Sequence, residues 1–404
     1  MVAHIFAWLF VFAVPWQDML VFPGLGTLSR LLGMAAIGAM ALHVLMRGKV
    51  RALLGFHWLL FGYLCWVVLS TFWGVAAQQT VWTSVKTLLQ IFVMMWVIWE
   101  ATPTPARLTS LLQAYVLGAY VAAGSTIFNY ATGAVSTHAY GRYAASGFDP
   151  NDLGSLLALA LPMAWYLAAR APSGFQRWLN RAYFVAGTLA ILLTASRGAL
   201  LATIVALFVV PWTLTQLRGG VRVAALVIVL GAGAAAVRFV PEFAFKRLST
   251  TRSEITQGTL NHRLQIWSKG IQTVPARPLQ GYGPAGWYPA IGLDQAPHNT
   301  YLTILVEEGL IGLLLYLTIL TLVWARLLRL HTFERRVGLT MLATLLVVMT
   351  PLGWAGHKAS WLVLALLAGM SDVLAAGRPS AIPSRPMPAV PRERARRVPR
   401  VTAK

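Results

Sequence analysis

The stretch GALLATIVALFVVPWTLTQL, residues 198–217, decides the fold class, because it is long, apolar and free of charged residues. A transmembrane α-helix needs about 20 mostly apolar residues to cross a hydrocarbon core of about 30 Å. A second such run, GLIGLLLYLTILTLVWA, occupies residues 309–325, and similar runs recur along the 404-residue chain. The sequence therefore predicts an all-α, polytopic integral membrane protein.

The composition supports this prediction and excludes a soluble enzyme. The chain is 57% hydrophobic and 11% charged, whereas soluble domains are about 25% charged. The net charge of +21 would also suit a nucleic-acid binder. Most of that charge lies in short segments between apolar runs, however, as in the anchoring loops of a membrane protein. We therefore predict that membrane lipids surround the chain and that it binds no nucleic acid.

The apolar runs predict twelve transmembrane helices within one domain, residues 1–376. One large polar loop, at about residues 241–297, separates spans nine and ten. Residues 377–404 are rich in Pro and Arg, cannot bury a core and are predicted to form a disordered basic tail. The twelve spans are predicted at about residues 3–21, 29–46, 53–73, 80–99, 108–130, 148–169, 182–196, 197–214, 223–240, 298–325, 337–352 and 355–376.

The distribution of Lys and Arg predicts the orientation, because cytoplasmic loops carry an excess of both. A cytoplasmic N-terminus assigns most of the 33 basic residues to cytoplasmic connections and to the tail. An even number of spans then returns the C-terminus to the cytoplasm. The large loop is predicted to lie on the outer, periplasmic side.

Four basic residues on the predicted outer side are candidate ligands for an anion: Lys86, Arg142, Arg197 and Arg263. Charges near membrane depth are functional candidates, and the planar fork of arginine suits phosphate. Alternatively, Arg142 and Arg263 are solvated loop charges and Lys86 extends to the interface. Arg197 has long apolar flanks on both sides, so it must be either paired or functional.

Residues 297–312, PHNTYLTILVEEGLIG, predict a helix that starts at the outer surface. His298, Tyr301 and Leu305 would share one face of this helix. An imidazole, with a reference pKa of about 6.5, can accept a proton near neutral pH. Asn299 could bind a sugar hydroxyl or fix the first helical turn. A histidine at a helix start can equally be a capping or hydrogen-bonded structural group.

The sequence predicts neither a metal nor a cofactor. It lacks an Asp-x-Asp motif, a Cys/His ligand cluster and a Walker loop. Gly281, Gly283 and Gly286 form a G-x-G-x-x-G string, but it neither follows a predicted strand nor opens a helix. Asp149 and Asp152 alone are weak evidence for a metal site, so basic residues would have to neutralise a bound anion.

Residues 298–312, HNTYLTILVEEGLIG, resemble the signature of the O-antigen ligase and O-antigen polymerase superfamily. The GYG string at 281–283, FDPNDL at 148–153 and SRG at 196–198 also fit that family. So does a large periplasmic loop placed just before the signature. The whole-chain architecture is similar, whereas the motifs cover only the middle of the chain.

This resemblance implies an inverting, metal-independent glycosyl transfer at the periplasmic face of the bacterial inner membrane. The donor would be O-antigen polysaccharide on undecaprenyl diphosphate. For a ligase, the acceptor would be a sugar hydroxyl of the lipid A–core. No cofactor is implied, and the reaction would belong to lipopolysaccharide biosynthesis.

The resemblance also assigns roles to residues. His298 would be the base that takes the proton of the acceptor hydroxyl. Arg197 and Arg263 would hold the diphosphate and stabilise its charge as it leaves, with Arg142 and Lys86 as secondary candidates. Polar residues of the same motifs would position the sugars or the base: Asn151, Asn299 and Tyr301.

Other functions share parts of this pattern. O-antigen polymerases and protein O-oligosaccharyltransferases carry the same signature, but the short basic tail and the single arginine in the 131–147 connection favour a ligase. A transporter of the lipid-linked glycan would have a similar basic cavity, but its two halves should repeat, and the sequence has no visible repeat. The identities of the sugars and the oligomeric state stay open.

Overall fold

The computed structural model describes residues 1–135, 141–171, 173–217, 219–250 and 262–375. It is 78% helical, which agrees with the predicted all-α class. The predicted tail, residues 377–404, lies outside the described residues. The helices are α1 (Val2–Ala13), α2 (Leu28–Arg47), α3 (Gly55–Ser70), α4 (Gln78–Ala101), α5 (Pro105–Ala131), α6 (Pro150–Arg170), α7 (Gly174–Leu193), α8 (Arg197–Leu207), α9 (Val209–Thr213), α10 (Gly219–Phe239), α11 (Glu242–Ser249), α12 (Arg263–Thr273), α13 (Trp287–Ile291), α14 (Thr300–Leu327), α15 (Thr332–Met349) and α16 (Lys358–Ala375).

Nine segments of the described chain are long and apolar enough to cross a membrane. The first joins α1 to a 3-10 helix, Val14–Met19, and another continues α8 as far as Gln216. Helices α7, α10 and α15 coincide with three further predicted spans but are not among the nine; α15 carries Glu334, Arg335 and Arg336 near its start. The chain is a polytopic membrane protein, and the number twelve stays a prediction.

Helices α6 and α16 form the centre of the bundle. In the most apolar stretch of α6, 89% of the residues are buried, and in α16 78% are, against 22% in α2. A helix that is apolar all round is expected in the interior of a bundle. The first turn of α6 is therefore held by neighbours on several sides, which matters for the side chains placed there.

The predicted loop 241–297 contains structure that its polar composition did not indicate. Helices α11, α12 and α13 lie within it. Ile266 of α12 and Trp287 of α13 are buried against Leu302 and Val306 on the first turns of α14. A second, smaller apolar cluster therefore fixes this loop to the outer part of α14.

Helix α14 is broken at Gly309, whose φ of 67° and ψ of −170° only glycine adopts readily. The freed backbone groups pair with the preceding loop. The amides of Tyr282 and Gly283 donate to the carbonyls of Val306 and Glu307, at 3.0 and 2.7 Å. Below the break, the amide of Leu310 donates to the carbonyl of Pro278 at 2.9 Å. The loop that contains the glycine string thus provides hydrogen-bond partners for the backbone groups around the helix break.

Ion pairs lie at the opposite end of the bundle, near the predicted cytoplasmic ends of the helices. The Arg51 guanidinium is 2.6 Å from Asp372 and stacks on the Trp99 ring at 3.6 Å. Arg170 pairs with Glu334 at 2.5 Å. These pairs tie together helices that are far apart in sequence.

Candidate active site

The first turn of α6 and the turn before α8 form the base of the site. The Asp149 carboxylate caps α6, where its Oδ1 accepts from the amide of Asn151 at 2.7 Å. The side-chain oxygen of Asn151 accepts from Arg142 Nη2 at 2.9 Å and from Ser196 Oγ at 3.0 Å. Arg142 Nε also donates to the carbonyl of Thr194 at 2.7 Å. Arg142 is buried and held in one orientation by these contacts.

Arg197, the first residue of α8, exchanges backbone contacts with Arg247 of α11. Arg197 Nε donates to the carbonyl of Arg247 at 3.2 Å, and Arg247 Nε donates to the carbonyl of Ala195 at 3.1 Å. Arg197 Nη2 also donates to Thr250 Oγ1 at 2.9 Å. These carbonyl and hydroxyl contacts orient both guanidinium groups and do not themselves oppose the positive charge.

Helix α12 brings Arg263 to the same region. Trp267 Nε1 donates to the carbonyl of Pro297 at 2.8 Å, which fixes α12 beside the segment that precedes α14. Arg263 therefore acts electrostatically on His298, the next residue after Pro297. Neither the Arg263 guanidinium nor the His298 imidazole has a hydrogen-bond or ion-pair partner within the described ranges. Both groups are therefore open to a ligand.

Four arginines converge here, and we call Arg142, Arg197, Arg247 and Arg263 the arginine cluster. The other three all act on the charge of Arg142, and Asp149 is the acid that opposes them. Burial, reinforced by repulsion from Arg247, lowers the pKa of Arg142 to about 10. With this pKa Arg142 stays charged at neutral pH. A cluster of four arginines suits a multiply charged anion.

The same surroundings set the protonation of His298. Burial lowers the pKa of the His298 imidazole below its ordinary 6.5, and the charge of Arg263 lowers it further, whereas Asp149 raises it. A lower pKa favours the neutral ring at neutral pH. Neutral imidazole can accept a proton, which is what a base in this position must do.

The structure corrects one detail of the predicted helix. Helix α14 begins at Thr300 with Asn299 as its N-cap, and His298 lies outside it with a φ of 46°. His298 therefore does not share a helical face with Tyr301. The Asn299 side-chain oxygen accepts from the amide of Leu302 at 3.0 Å, which fixes the first turn.

The remaining predicted residues lie in different places. The Tyr301 hydroxyl donates to the carbonyl of Leu346 at 3.1 Å, so it ties α14 to α15. Lys86 lines a cavity with Arg30 and Lys358, and this lining shares no residue with the arginine cluster. The structure therefore brings Arg142, Asn151, Arg197, Arg263 and His298 together and leaves Lys86 outside. A role for Lys86 at the diphosphate stays a prediction.

Glu307 and Glu308 are both used inside the protein. Glu307 Oε1 accepts from the amide of Trp287 at 3.2 Å, and Glu308 Oε2 accepts from Ser70 Oγ at 3.0 Å. Neither carboxylate makes an ion pair with an arginine in the portion of the chain that is described. Glu307 therefore ties the broken helix to its loop, and Glu308 ties it to α3.

Sequence reasoning missed Arg247 and undervalued Asp149. Arg247 carries the same signal that drew attention to Arg263, a cation on the predicted outer side, but it was not singled out within the large loop. Asp149 was weighed only as a metal ligand, whereas it caps α6 and opposes the arginine charges. Across the described ranges, no three His, Cys, Asp or Glu side chains cluster closely enough to hold a metal ion.

Comparison with known families fits this geometry. Residues 182–317 match the protein family described as O-antigen ligase. The matched segment includes Arg197, Arg247, Arg263 and His298, while Arg142 and Asn151 lie before it. No curated protein matches the chain. The match at residues 182–317 supports the predicted resemblance to the O-antigen ligase and O-antigen polymerase superfamily.

Proposed function

We propose that the protein is an O-antigen ligase. It would move O-antigen polysaccharide from undecaprenyl diphosphate to a sugar hydroxyl of the lipid A–core, at the periplasmic face of the bacterial inner membrane. One observation carries the proposal. The His298 imidazole, whose pKa is lowered, lies within electrostatic reach of Arg263, a member of the arginine cluster whose guanidinium has no partner among the described residues. The family match of residues 182–317 supports it.

The reaction needs one proton acceptor and one anion site. The acceptor hydroxyl gives its proton to the neutral imidazole of His298 as its oxygen attacks the anomeric carbon of the donor sugar. The bond from that carbon to the diphosphate oxygen breaks on the opposite face, and its electron pair leaves with the diphosphate. The configuration at the anomeric carbon is inverted, and His298 ends the step protonated.

The arginine cluster stabilises the charge that develops on the leaving diphosphate. Arg263 has no internal partner in the described structure, and so it can turn both prongs of its fork toward phosphate oxygens. Arg142 is fixed by Thr194 and Asn151 before the donor arrives. Groups that are oriented in advance cost little reorganisation during the reaction. Arg197 would complete the phosphate contacts from the start of α8.

Asn151, Asn299 and Tyr301 act in this proposal mainly as positioning residues. Asn151 orients Arg142 and Ser196, Asn299 caps the helix next to the base, and Tyr301 fixes that helix to α15. The amide nitrogen of Asn299 remains available for a sugar hydroxyl. Loss of any of the three would misplace the base or the cations without removing a charge from the arginine cluster.

A transfer assay tests the proposal. Purified protein is mixed with glycan on undecaprenyl diphosphate and with lipid A–core in EDTA, and the products are separated on a gel. We expect glycan on the lipid A–core with the wild type and with the control variant His43→Asn. His43 is exposed and lies near the C-terminal end of α2. We expect none with His298→Asn.

The products also separate the alternatives. Longer lipid-linked glycans with unmodified lipid A–core would show that the protein is a polymerase. Glycan on an added protein hydroxyl would show an O-oligosaccharyltransferase. The absence of any chemistry, with glycan moved across vesicle membranes, would overturn the enzyme proposal in favour of a transporter.

A further inference from the structure

A second cationic cavity lies apart from the arginine cluster. It has a volume of about 360 Å³ and is formed by α1, α2, α4 and the start of α16. Arg30, Lys86 and Lys358 line it, and none of the described Asp or Glu residues does. Three cations facing one cavity in an apolar bundle call for a negatively charged occupant, because charges near membrane depth are otherwise costly.

The cations have few internal partners. Lys358 Nζ donates to Ser29 Oγ at 3.0 Å, and Asp18 is the acid that acts on its charge. Lys86 and Arg30 have no side-chain hydrogen bond or ion pair in the parts of the chain that are described. The outer end of the cavity therefore holds three positive charges against one nearby carboxylate.

The deeper part of the cavity is apolar. On α4 the lining passes from Thr83 and Lys86 to Ile91, Met94 and Val97. Since an α-helix rises 1.5 Å per residue, the stretch from Thr83 to Val97 extends about 21 Å along the axis. Side chains of α1 and α2 complete the apolar wall: Phe10, Ala36 and Ile37. The cavity is charged at one end and apolar along its length.

This polarity matches a lipid that carries a phosphate. We propose that the cavity binds an anionic lipid, with its phosphate among Arg30, Lys86 and Lys358 and with the upper part of one chain along α4. Phosphate is the headgroup chemistry that clustered lysines and arginines between transmembrane helices recognise. Lys86, predicted as a secondary ligand of the diphosphate, is assigned here to a different cavity, and the steps of glycosyl transfer described above act through the arginine cluster and His298.

The cavity is nevertheless joined to the candidate active site. His357 lines the cavity and stacks on Trp354, with ring centroids 4.3 Å apart. Trp354 Nε1 in turn donates to Asp152 in the first turn of α6 at 2.7 Å. A lipid phosphate held here would therefore lie on the far side of Trp354 from the arginine cluster. Two sources have the required chemistry: a phosphorylated lipid A–type acceptor and an ordinary anionic phospholipid of the bilayer.

Native mass spectrometry of the detergent-purified full chain tests the proposal. The probes are diphosphorylated lipid A, phosphatidylglycerol and, as a zwitterionic control, phosphatidylcholine. We expect the anionic probes to bind more tightly than phosphatidylcholine. Lys86→Gln should weaken their binding by roughly tenfold, because a charge-assisted contact to phosphate is lost. Lys86→Arg should keep the binding of the anionic probes. Arg47→Gln, at the C-terminal end of α2 and outside the cavity lining, serves as the matched control.

A second variant tests the apolar part without touching the charges. Met94→Trp fills the space for the lipid chain and should weaken the binding of both anionic lipids. As a control for folding, Lys86→Gln and Met94→Trp should both still elute as monodisperse protein. Equal binding of phosphatidylcholine and the anionic probes, or equal effects of Lys86→Gln and Arg47→Gln, would overturn the proposal.

The same spectra identify the source and separate the two proposals. Preference for lipid A over phosphatidylglycerol supports an acceptor, and equal binding of the two supports a bilayer lipid. Undecaprenyl diphosphate serves as the donor probe, and its binding should fall with Arg263→Gln and not with Lys86→Gln. Failure of the cavity proposal would then leave the ligase proposal standing.

Discussion

Replacement of His298 by asparagine is the sharpest test of the site. The imidazole makes no hydrogen bond in the described structure, so its removal leaves no buried partner unsatisfied. The backbone of His298 has a φ of 46°, a left-handed conformation that asparagine tolerates better than alanine does. His298→Asn therefore removes the base and should spare the fold, whereas alanine would add backbone strain.

The expected loss follows from the role of a general base. Such a group contributes about 10²–10⁴-fold to a rate, which corresponds to about 3–5 kcal/mol in the activation free energy. We expect kcat/KM for transfer to lipid A–core to fall by that factor, with donor binding unchanged. A radiolabelled or fluorescent donor followed in time on a gel gives the rates, and His43→Asn controls for histidine loss in general.

The pH dependence gives a second reading of the same variant. Protonation removes the base, so the wild-type kcat/KM should fall as the pH drops through the pKa of His298. Burial and Arg263 place that midpoint below 6.5. The acid limb should vanish in His298→Asn. A loss smaller than about tenfold, or an unchanged acid limb in the variant, would refute the assignment of His298 as the base.

Further predictions concern the cations, the helix break and metal. Arg263→Gln should move the acid limb of kcat/KM to higher pH, because it removes a charge that lowers the pKa of His298; Lys269→Gln, exposed on the same helix, should not move it. Arg197→Lys loses the two-pronged phosphate contact and should lower kcat by about tenfold or more; full activity would exclude bidentate holding. Gly309→Ala should destabilise the protein by at least about 1–3 kcal/mol and lower its Tm, since the new methyl would meet the Leu279 carbonyl, whereas Gly38→Ala, which meets nothing within 4 Å, should not. EDTA should leave the transfer rate unchanged, and a lost rate that a divalent metal restores would contradict the metal-independent mechanism.

The fold class was predictable because the bilayer imposes it on the sequence. An uncharged run such as residues 198–217 can cross a bilayer only with all its backbone groups hydrogen-bonded, and an α-helix achieves this within the run itself. The structure of the large loop was less accessible, because helices α12 and α13 form by burying Ile266 and Trp287 on α14. Such contacts join residues far apart in sequence, and neither the hydrophobic periodicity nor the composition of the loop predicts them.

The candidate site was predictable by residue type and only partly by location. Cations on the outer side were a usable signal for Arg142, Arg197 and Arg263. The structure groups these three arginines, and Arg263 acts electrostatically on His298. The same signal selected Lys86, which faces another cavity, because a helix position does not fix the neighbour that its side chain meets. Tertiary packing makes that choice.

The break in α14 has a mechanical consequence. Above Gly309, the short helical segment that follows His298 is hydrogen-bonded to the loop through Tyr282 and Gly283 and packed against α12 and α13. Below it, residues 310–327 form a second helical segment, whose first amides, those of Leu310 and Ile311, donate to the carbonyls of Pro278 and Leu279. We expect a change in membrane thickness that tilts the second segment to bend the chain at Gly309, where the helical hydrogen bonding is already interrupted. We therefore expect the reacting groups to keep their alignment, and the transfer rate to vary little, across bilayers of different thickness.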